Sequence, residues 1–246
     1  MKKFILATLF LTTLLFFSKT YAQTYFRNSV VIDTPTAYTI IKGSYQVSIL
    51  GYDNGGIELK SFIGLHDNLF LGASCDIQSA IGKERAEPNV PGVIAKLKFT
   101  DGWESFPISI AIGYDSFYIG NEGETENTDN ELDRMIYGPY FVVTKPIYIF
   151  DDEQHIHFGM RIPTQPDYIS EDASYFLSID VPIGDFFAIK AEGERIFYDF
   201  SRRKRWLLNL GVRYSYLNFL GIEAAILLQK HELPNRIIRI EFSDDF

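Results

Sequence analysis

From residue 44 onwards, apolar and polar side chains alternate along the chain with a period of two. They do so in runs of about ten residues separated by turn-forming ones. The final run, NRIIRIEFSDDF, shows the pattern most plainly: Ile238, Ile240 and Phe242 share one face, Arg239 and Glu241 the other. A period of two belongs to a pleated strand, whose successive side chains point to opposite sides. The alternation predicts twelve strands, at 44–51, 57–65, 69–76, 92–99, 107–114, 136–144, 155–162, 175–181, 186–196, 206–216, 220–229 and 235–246, with ten or fourteen as neighbouring counts.

The connections carry a second pattern. Those at 77–91, 115–135, 163–174 and 197–205 are long, and those at 66–68, 182–185 and 217–219 are short. Alternating long and short connections are those of an up-and-down barrel with loops at one mouth and turns at the other. Two connections depart from it, a short one at 52–56, rich in residues that accept positive φ (Asp53, Asn54, Gly55, Gly56), and a longer one at 145–154. No segment after residue 22 reads as a membrane helix, and a lipid-embedded sheet must close on itself to satisfy its backbone. The expected fold is therefore all-β, a transmembrane antiparallel up-and-down β-barrel over residues 23–246. Residues 23–42, broken around Thr34, Pro35 and Thr36, are expected to form a short periplasmic lead-in. A soluble periplasmic β-sandwich is the competing architecture.

The N-terminus sets the compartment. Lys2 and Lys3 precede an apolar run at 4–17, and Thr20, Tyr21 and Ala22 place small residues at signal-peptidase positions. This is the plan of a cleaved secretory signal over 1–22; an uncleaved anchor is the alternative. Cleavage would remove Lys2, Lys3 and Lys19, so the 23 basic side chains fall to 20 against 32 acidic ones and the formal charge moves from −9 to −12. An acidic mature chain argues against a nucleic-acid partner. Cys75 is the single cysteine, so no intrachain disulfide forms. Abundant Phe and Tyr suit the aromatic girdles of a membrane barrel.

Alternation also sorts the charges. Glu58, Lys60, Asp76, Lys96, Lys98, Lys190, Glu192, Glu194, Arg213, Glu223, Arg239 and Glu241 are expected to face the lumen. Charges there must be paired or wet, so either a paired network plugs the barrel or an aqueous lumen conducts solutes; a largely plugged interior is favoured. His155 and His157 stand at i and i+2 and share the inward face, where two imidazoles alone do not make a metal site; no metal or other cofactor is expected. Cys75 falls on the lipid face with Leu71 and Ala73. His66 and His231 lie in connections without a hydrolase motif, so no catalytic residue is assigned and a barrel enzyme acting on lipid or peptide is the alternative. The acidic loop 122–133 lacks the order of a calcium loop. It reads as a solvated outer loop, or as a loose divalent-cation bridge to lipopolysaccharide. The basic cluster Arg202, Arg203, Lys204 and Arg205 is placed to meet lipid phosphates.

Two resemblances extend this reading. The closing strand, with Ile238, Ile240, Phe242 and terminal Phe246, resembles the last strand of outer-membrane barrels, which implies an insertion signal read by the barrel-insertion machinery. The stretch VIDTPTAYTIIKGSYQVSILGYDNGGIELKSFIGLHDNLFLGAS, residues 31–74, resembles the first barrel segments of the YjbH-like outer-membrane proteins associated with exopolysaccharide production. It has their Pro-Thr-Ala step, a Gly, a strand and a tight Asn/Asp turn, and this chain looks like a short single-barrel form. The resemblance implies a link to exopolysaccharide export and to polysaccharide-export partners. The expectation is a Gram-negative outer-membrane protein in contact with membrane lipid and lipopolysaccharide, with a structural or transport role.

Overall fold

The structure is a computed structural model in which residues 28–102, 107–116, 138–149, 152–162, 173–198, 203–216, 219–229 and 234–246 are described. The strands are β1 (Ser44–Tyr52), β2 (Gly56–His66), β3 (Leu69–Gln78), β4 (Glu87–Pro88), β5 (Gly92–Thr100), β6 (Ser109–Asp115) and β7 (Gly138–Ile149). They continue as β8 (Asp152–Arg161), β9 (Ser174–Ile183), β10 (Phe187–Tyr198), β11 (Arg203–Tyr216), β12 (Leu220–Gln229) and β13 (Asn235–Asp245). Each pairs antiparallel with its neighbour. β1 pairs with both β2 and β13, and β2 also pairs with β3, so the sheet closes. Twelve strands form the ring; β4 is an extra two-residue strand lying against Ile77 and Gln78 of β3. Closure leaves the ring without an open edge.

The wall is apolar outside and polar inside. On β11 and β12, Leu210, Val212 and Ile222 are 45%, 51% and 41% exposed, whereas Asn209, Arg213 and Glu223 between them are 0–3% exposed. That is the reverse of a soluble sheet and the arrangement a lipid-facing barrel requires. At the end where Ser44 meets Asp245 and the short turns lie, aromatic rings cluster. Tyr45 meets Phe246 and Phe242 at 5.1 and 6.1 Å, Phe219 meets Phe242 at 5.6 Å, and Tyr214 meets Phe187 at 5.3 Å. Rings at this height form an interfacial girdle. Taking this as the inner end, the connection 79–91 and the strand ends at Asp115, Gly138, Arg161 and Ser174 fall at the other mouth.

Inward glycines make room for inward rings. Gly72 lies opposite Phe62, Gly113 opposite Tyr140 and Gly159 opposite Phe176, and in each pair a Cβ on the glycine would collide with the facing ring. A bulky ring laid flat over a neighbouring glycine fills the wall's inner surface without widening the barrel.

Two sequence expectations need correction. The connection expected at 145–154 is strand on both sides: β7 runs to Ile149, β8 starts at Asp152, and Pro146 pairs with His155. Pro146 is tolerated because β6 stops pairing with β7 at Ser109 and Thr144, so beyond that point no ladder bond on that side is lost. Likewise, most of the basic loop expected at 197–205 is strand, with β10 reaching Tyr198 and β11 starting at Arg203. The signal segment 1–22, the acidic loop 122–133, Arg202 and His231 lie outside the described residues.

Candidate functional site: a hairpin held in the lumen

The described part of the lead-in does not lie outside the barrel. Residues 28–38 fold into a small hairpin inside it, with Asn28, Val31, Ile32, Asp33, Thr34, Ala37 and Tyr38 all buried. The periplasmic placement expected for this segment is therefore corrected for residues 28–38. The physical reason is that the wall's charges need partners, and an irregular segment with unpaired backbone groups supplies them.

The hairpin is closed by its own bonds. Val30 bridges Pro35, the Val31 amide donates to Thr34 O at 2.9 Å, the Thr36 amide donates to Ser29 O at 3.0 Å, and the Thr36 hydroxyl donates to Asn28 O at 2.6 Å. Pro35 fits because its missing N–H is not needed there.

The wall grips the hairpin by its backbone. Glu192 of β10 receives the amides of Ile32 (3.1 Å), Asp33 (3.0 Å) and Thr34 (3.0 Å), together with the Thr34 hydroxyl (2.8 Å). Three successive amides converging on one carboxylate form an anion-binding concavity. Asn209 of β11 supports the same carboxylate at 2.5 Å. The cations hold the carbonyls. Lys190 donates to Val31 O at 2.7 Å, Arg239 to Ile32 O at 2.5 Å, Arg161 to Asp33 O, and Lys96 to Ser29 O and Tyr38 O at 2.8 and 3.2 Å. Thr144 accepts the Ala37 amide at 2.8 Å, and Ser178 meets the Thr34 hydroxyl at 2.9 Å.

The wall charges also pair with one another. Glu223 bridges Lys190 (2.5 Å) and Arg239 (2.9 Å), Arg213 pairs with Glu241, Lys60 lies between Glu58 (3.4 Å) and Asp115 (3.3 Å), and Arg161 lies 3.6 Å from Glu194. Glu58, Lys60, Asp76, Lys96, Lys190, Glu192, Glu194, Arg213, Glu223, Arg239 and Glu241 are buried on the inner face, while Lys98 sits half-buried at the inner rim against Asp101 at 2.9 Å. Arg161, Asp180 and Asn209, absent from the sequence-derived set, belong to the same face; the alternation that selects His155 and His157 also selects Arg161. Above this network, Val31 and Ile32 pack on Leu50, Ala225, Leu227 and Ile237, so an apolar layer caps the polar one.

The two histidines lie beneath Tyr38, whose ring stands edge-on to His155 at 5.3 Å and His157 at 6.1 Å. His157 Nδ1 meets the Thr144 hydroxyl at 2.8 Å and His155 Nε2 meets Glu153 at 2.9 Å. Among the described residues no group of three or more His, Cys, Asp and Glu side chains is placed to hold a metal ion. Cys75 is half-buried on the outward face. His66 lies in the exposed β2–β3 turn, where its Nδ1 accepts the Asn68 amide at 3.2 Å.

No family model matches the chain, and no curated protein does. Among solved structures, the chain is similar to one described as KdgM porin, with a TM-score of 0.50 and 14% identity over 82% of this chain and 99% of that one. It is also similar to the outer membrane protein Omp33 of Acinetobacter baumannii, with a TM-score of 0.48 and 10% identity over 82% of this chain and 97% of that one. The fold is that of a closed, twelve-strand antiparallel outer-membrane β-barrel. At such identity the likeness is one of architecture, and the resemblance to YjbH-like proteins rests on residues 31–74 alone. The hairpin lies inside the barrel and gives the wall's charges peptide groups as partners.

Proposed function

We propose that this is a non-enzymatic outer-membrane barrel with a transport role, whose resting lumen is closed by its own N-terminal hairpin. The observation that carries this reading is the set of wall contacts on the hairpin backbone, centred on Glu192 and the amides of Ile32, Asp33 and Thr34. A purely structural barrel can fill its interior with apolar side chains. This one lines its wall with acidic and basic side chains and packs a peptide segment against them. Export through a signal cleaved after Ala22 follows from the leader, and insertion follows from Ile238, Ile240, Phe242 and Phe246. The finer link, to exopolysaccharide export and its partner proteins, rests on the resemblance of residues 31–74. Contact with lipopolysaccharide is expected at the outer mouth.

The test is fractionation of cells producing the tagged protein, followed by electrophoresis with and without boiling. Recovery in the outer membrane, a mobility shift on boiling and an N-terminus at Gln23 support the reading. A soluble periplasmic protein whose mobility is indifferent to boiling overturns it. Loss of surface polysaccharide on deleting the gene tests the finer link, and unchanged polysaccharide removes it.

A further inference from the structure

We infer that the 28–38 hairpin is a displaceable gate, latched at Glu192, and that its departure opens the lumen. The inference rests on the transport reading above and names its regulation. Four observations converge on it.

The hairpin is not part of the ring. β1 pairs directly with β13 and β2, so the twelve-strand closure is complete without residues 28–38. It is also self-contained, because its turn, its bridge and its cross-hairpin bonds are internal. A segment of this kind can leave as a unit without costing the sheet a ladder bond.

Its departure leaves the wall's ion pairs intact, and Glu192, which keeps the Asn209 side chain, would be hydrated by the water that replaces the hairpin amides. Glu223 remains with Lys190 and Arg239, Arg213 with Glu241, Lys60 with Glu58, and Arg161 with Glu194. Lys96, now held by the carbonyls of Ser29 and Tyr38, would be hydrated by the water that replaces them. The hairpin itself contributes a single carboxylate, Asp33, and no basic side chain to the interior.

The tether is built as a hinge. Residues 39–43 leave the lumen along the inner rim. The Thr39 hydroxyl and the Lys42 amide bond Asp67, and the Gly43 amide donates to Gly64 O at 3.0 Å. Gly43 has φ of +83°, a conformation glycine adopts without strain. Gly64 has no Cβ to collide with the carbonyl of Ile41, which passes over it. The rim anchor therefore holds the tether in place whether the hairpin is in or out.

Glu192 has the largest share of the grip. It takes three backbone amides and one hydroxyl from residues 32–34, while Lys190, Arg239, Arg161, Lys96, Thr144 and Ser178 hold the rest. Removing this one carboxylate therefore loosens the hairpin more than any other single wall substitution.

The test is planar-bilayer recording of residues 23–246, with folding and insertion of each variant established first by the mobility shift on boiling. Glu192→Ala is expected to raise the open fraction at least about tenfold over the unaltered chain, as the loss of hydrogen bonds to a charged group requires. A second variant, Thr34→Cys with Ser178→Cys and Cys75→Ser, uses the 2.9 Å separation of the two hydroxyl oxygens to place a disulfide between hairpin and wall. Oxidised, it is expected to be silent; reduced, it is expected to open at least as often as a Cys75→Ser control, because Thr34→Cys also removes the hydroxyl bond to Glu192. Equal open fractions in the unaltered chain, Glu192→Ala and both redox states of the locked variant overturn the gate. If a barrel lacking residues 28–38 conducts while these variants do not differ, the latch fails and the transport reading stands. If no form shifts on boiling or enters bilayers, the transport reading itself fails.

Discussion

Glu192 and Thr34 are joined twice: the amide of Thr34, at 3.0 Å, and its hydroxyl, at 2.8 Å, both donate to Oε2 of the Glu192 carboxylate. One belongs to the barrel wall and the other to the turn of a segment 158 residues earlier in the chain. The contact ties a buried wall carboxylate to the hairpin's turn.

Truncating this carboxylate has a stability cost as well as a functional one. Glu192→Ala removes the acceptor for three buried amides and for the Asn209 side chain. The expected loss is about 3 kcal/mol, from buried donors left unsatisfied. Glu192→Gln, which keeps an acceptor oxygen, should lose less. The temperature at which the folded electrophoretic form disappears orders the three proteins, and an alanine variant as heat-resistant as the parent contradicts the role.

Glu223 is shared by two cations, so its removal should exceed the cost of a simple pair. Glu223→Gln leaves Lys190 and Arg239 facing each other in a buried wall. The expected destabilisation is about 3–5 kcal/mol. The double variant Lys190→Met/Glu223→Met should recover part of it, because breaking a buried pair costs more than replacing it. Urea-induced unfolding in detergent micelles measures both; a double variant less stable than the sum of the singles contradicts the pairing.

The glycine–ring pairs predict a directional effect. Gly159→Val places a side chain where the Phe176 ring lies and should reduce the folded yield, at a cost of about 1–3 kcal/mol from overpacking. Adding Phe176→Ala should restore part of the yield by vacating the space. The same valine at outward, exposed Ala73 should be neutral. Equal effects at Gly159 and Ala73 would remove the packing explanation.

Phe246 should matter more for assembly than for the finished fold. Its ring meets Tyr45 at 5.1 Å and its amide donates to Gly43 O at 2.8 Å, yet the side chain is 82% exposed. Phe246→Ala should lower heat stability by only about 1 kcal/mol, the scale of one ring pair. It should lower the amount reaching the outer membrane several-fold. Unchanged outer-membrane yield in a pulse-chase experiment would remove the insertion-signal role.

The strands were legible because a pleated wall between lipid and a polar lumen imposes one rule on every residue. The rule that set Arg239 and Glu241 against Ile238 and Ile240 also located Glu58, Lys96, Lys190 and Glu192 on the inner face. Arg161 and Asp180 obey it too. Pro146 was misleading, since proline signals a break only where its N–H is needed. The hairpin had no such rule to betray it. Residues 28–38 are held through backbone amides and carbonyls, which every residue carries, so their destination left no pattern in the side chains. The one hint was indirect, in wall charges such as Lys96 that required partners the strands did not supply.

The most direct test of the closed lumen is single-channel conductance of residues 23–246, compared with the same chain lacking residues 28–38. The account predicts that the intact chain, shown to be folded and inserted, stays closed apart from brief openings, and that the shortened chain conducts steadily. Steady conductance of equal amplitude from both would contradict it, because the hairpin would then not be what closes the barrel.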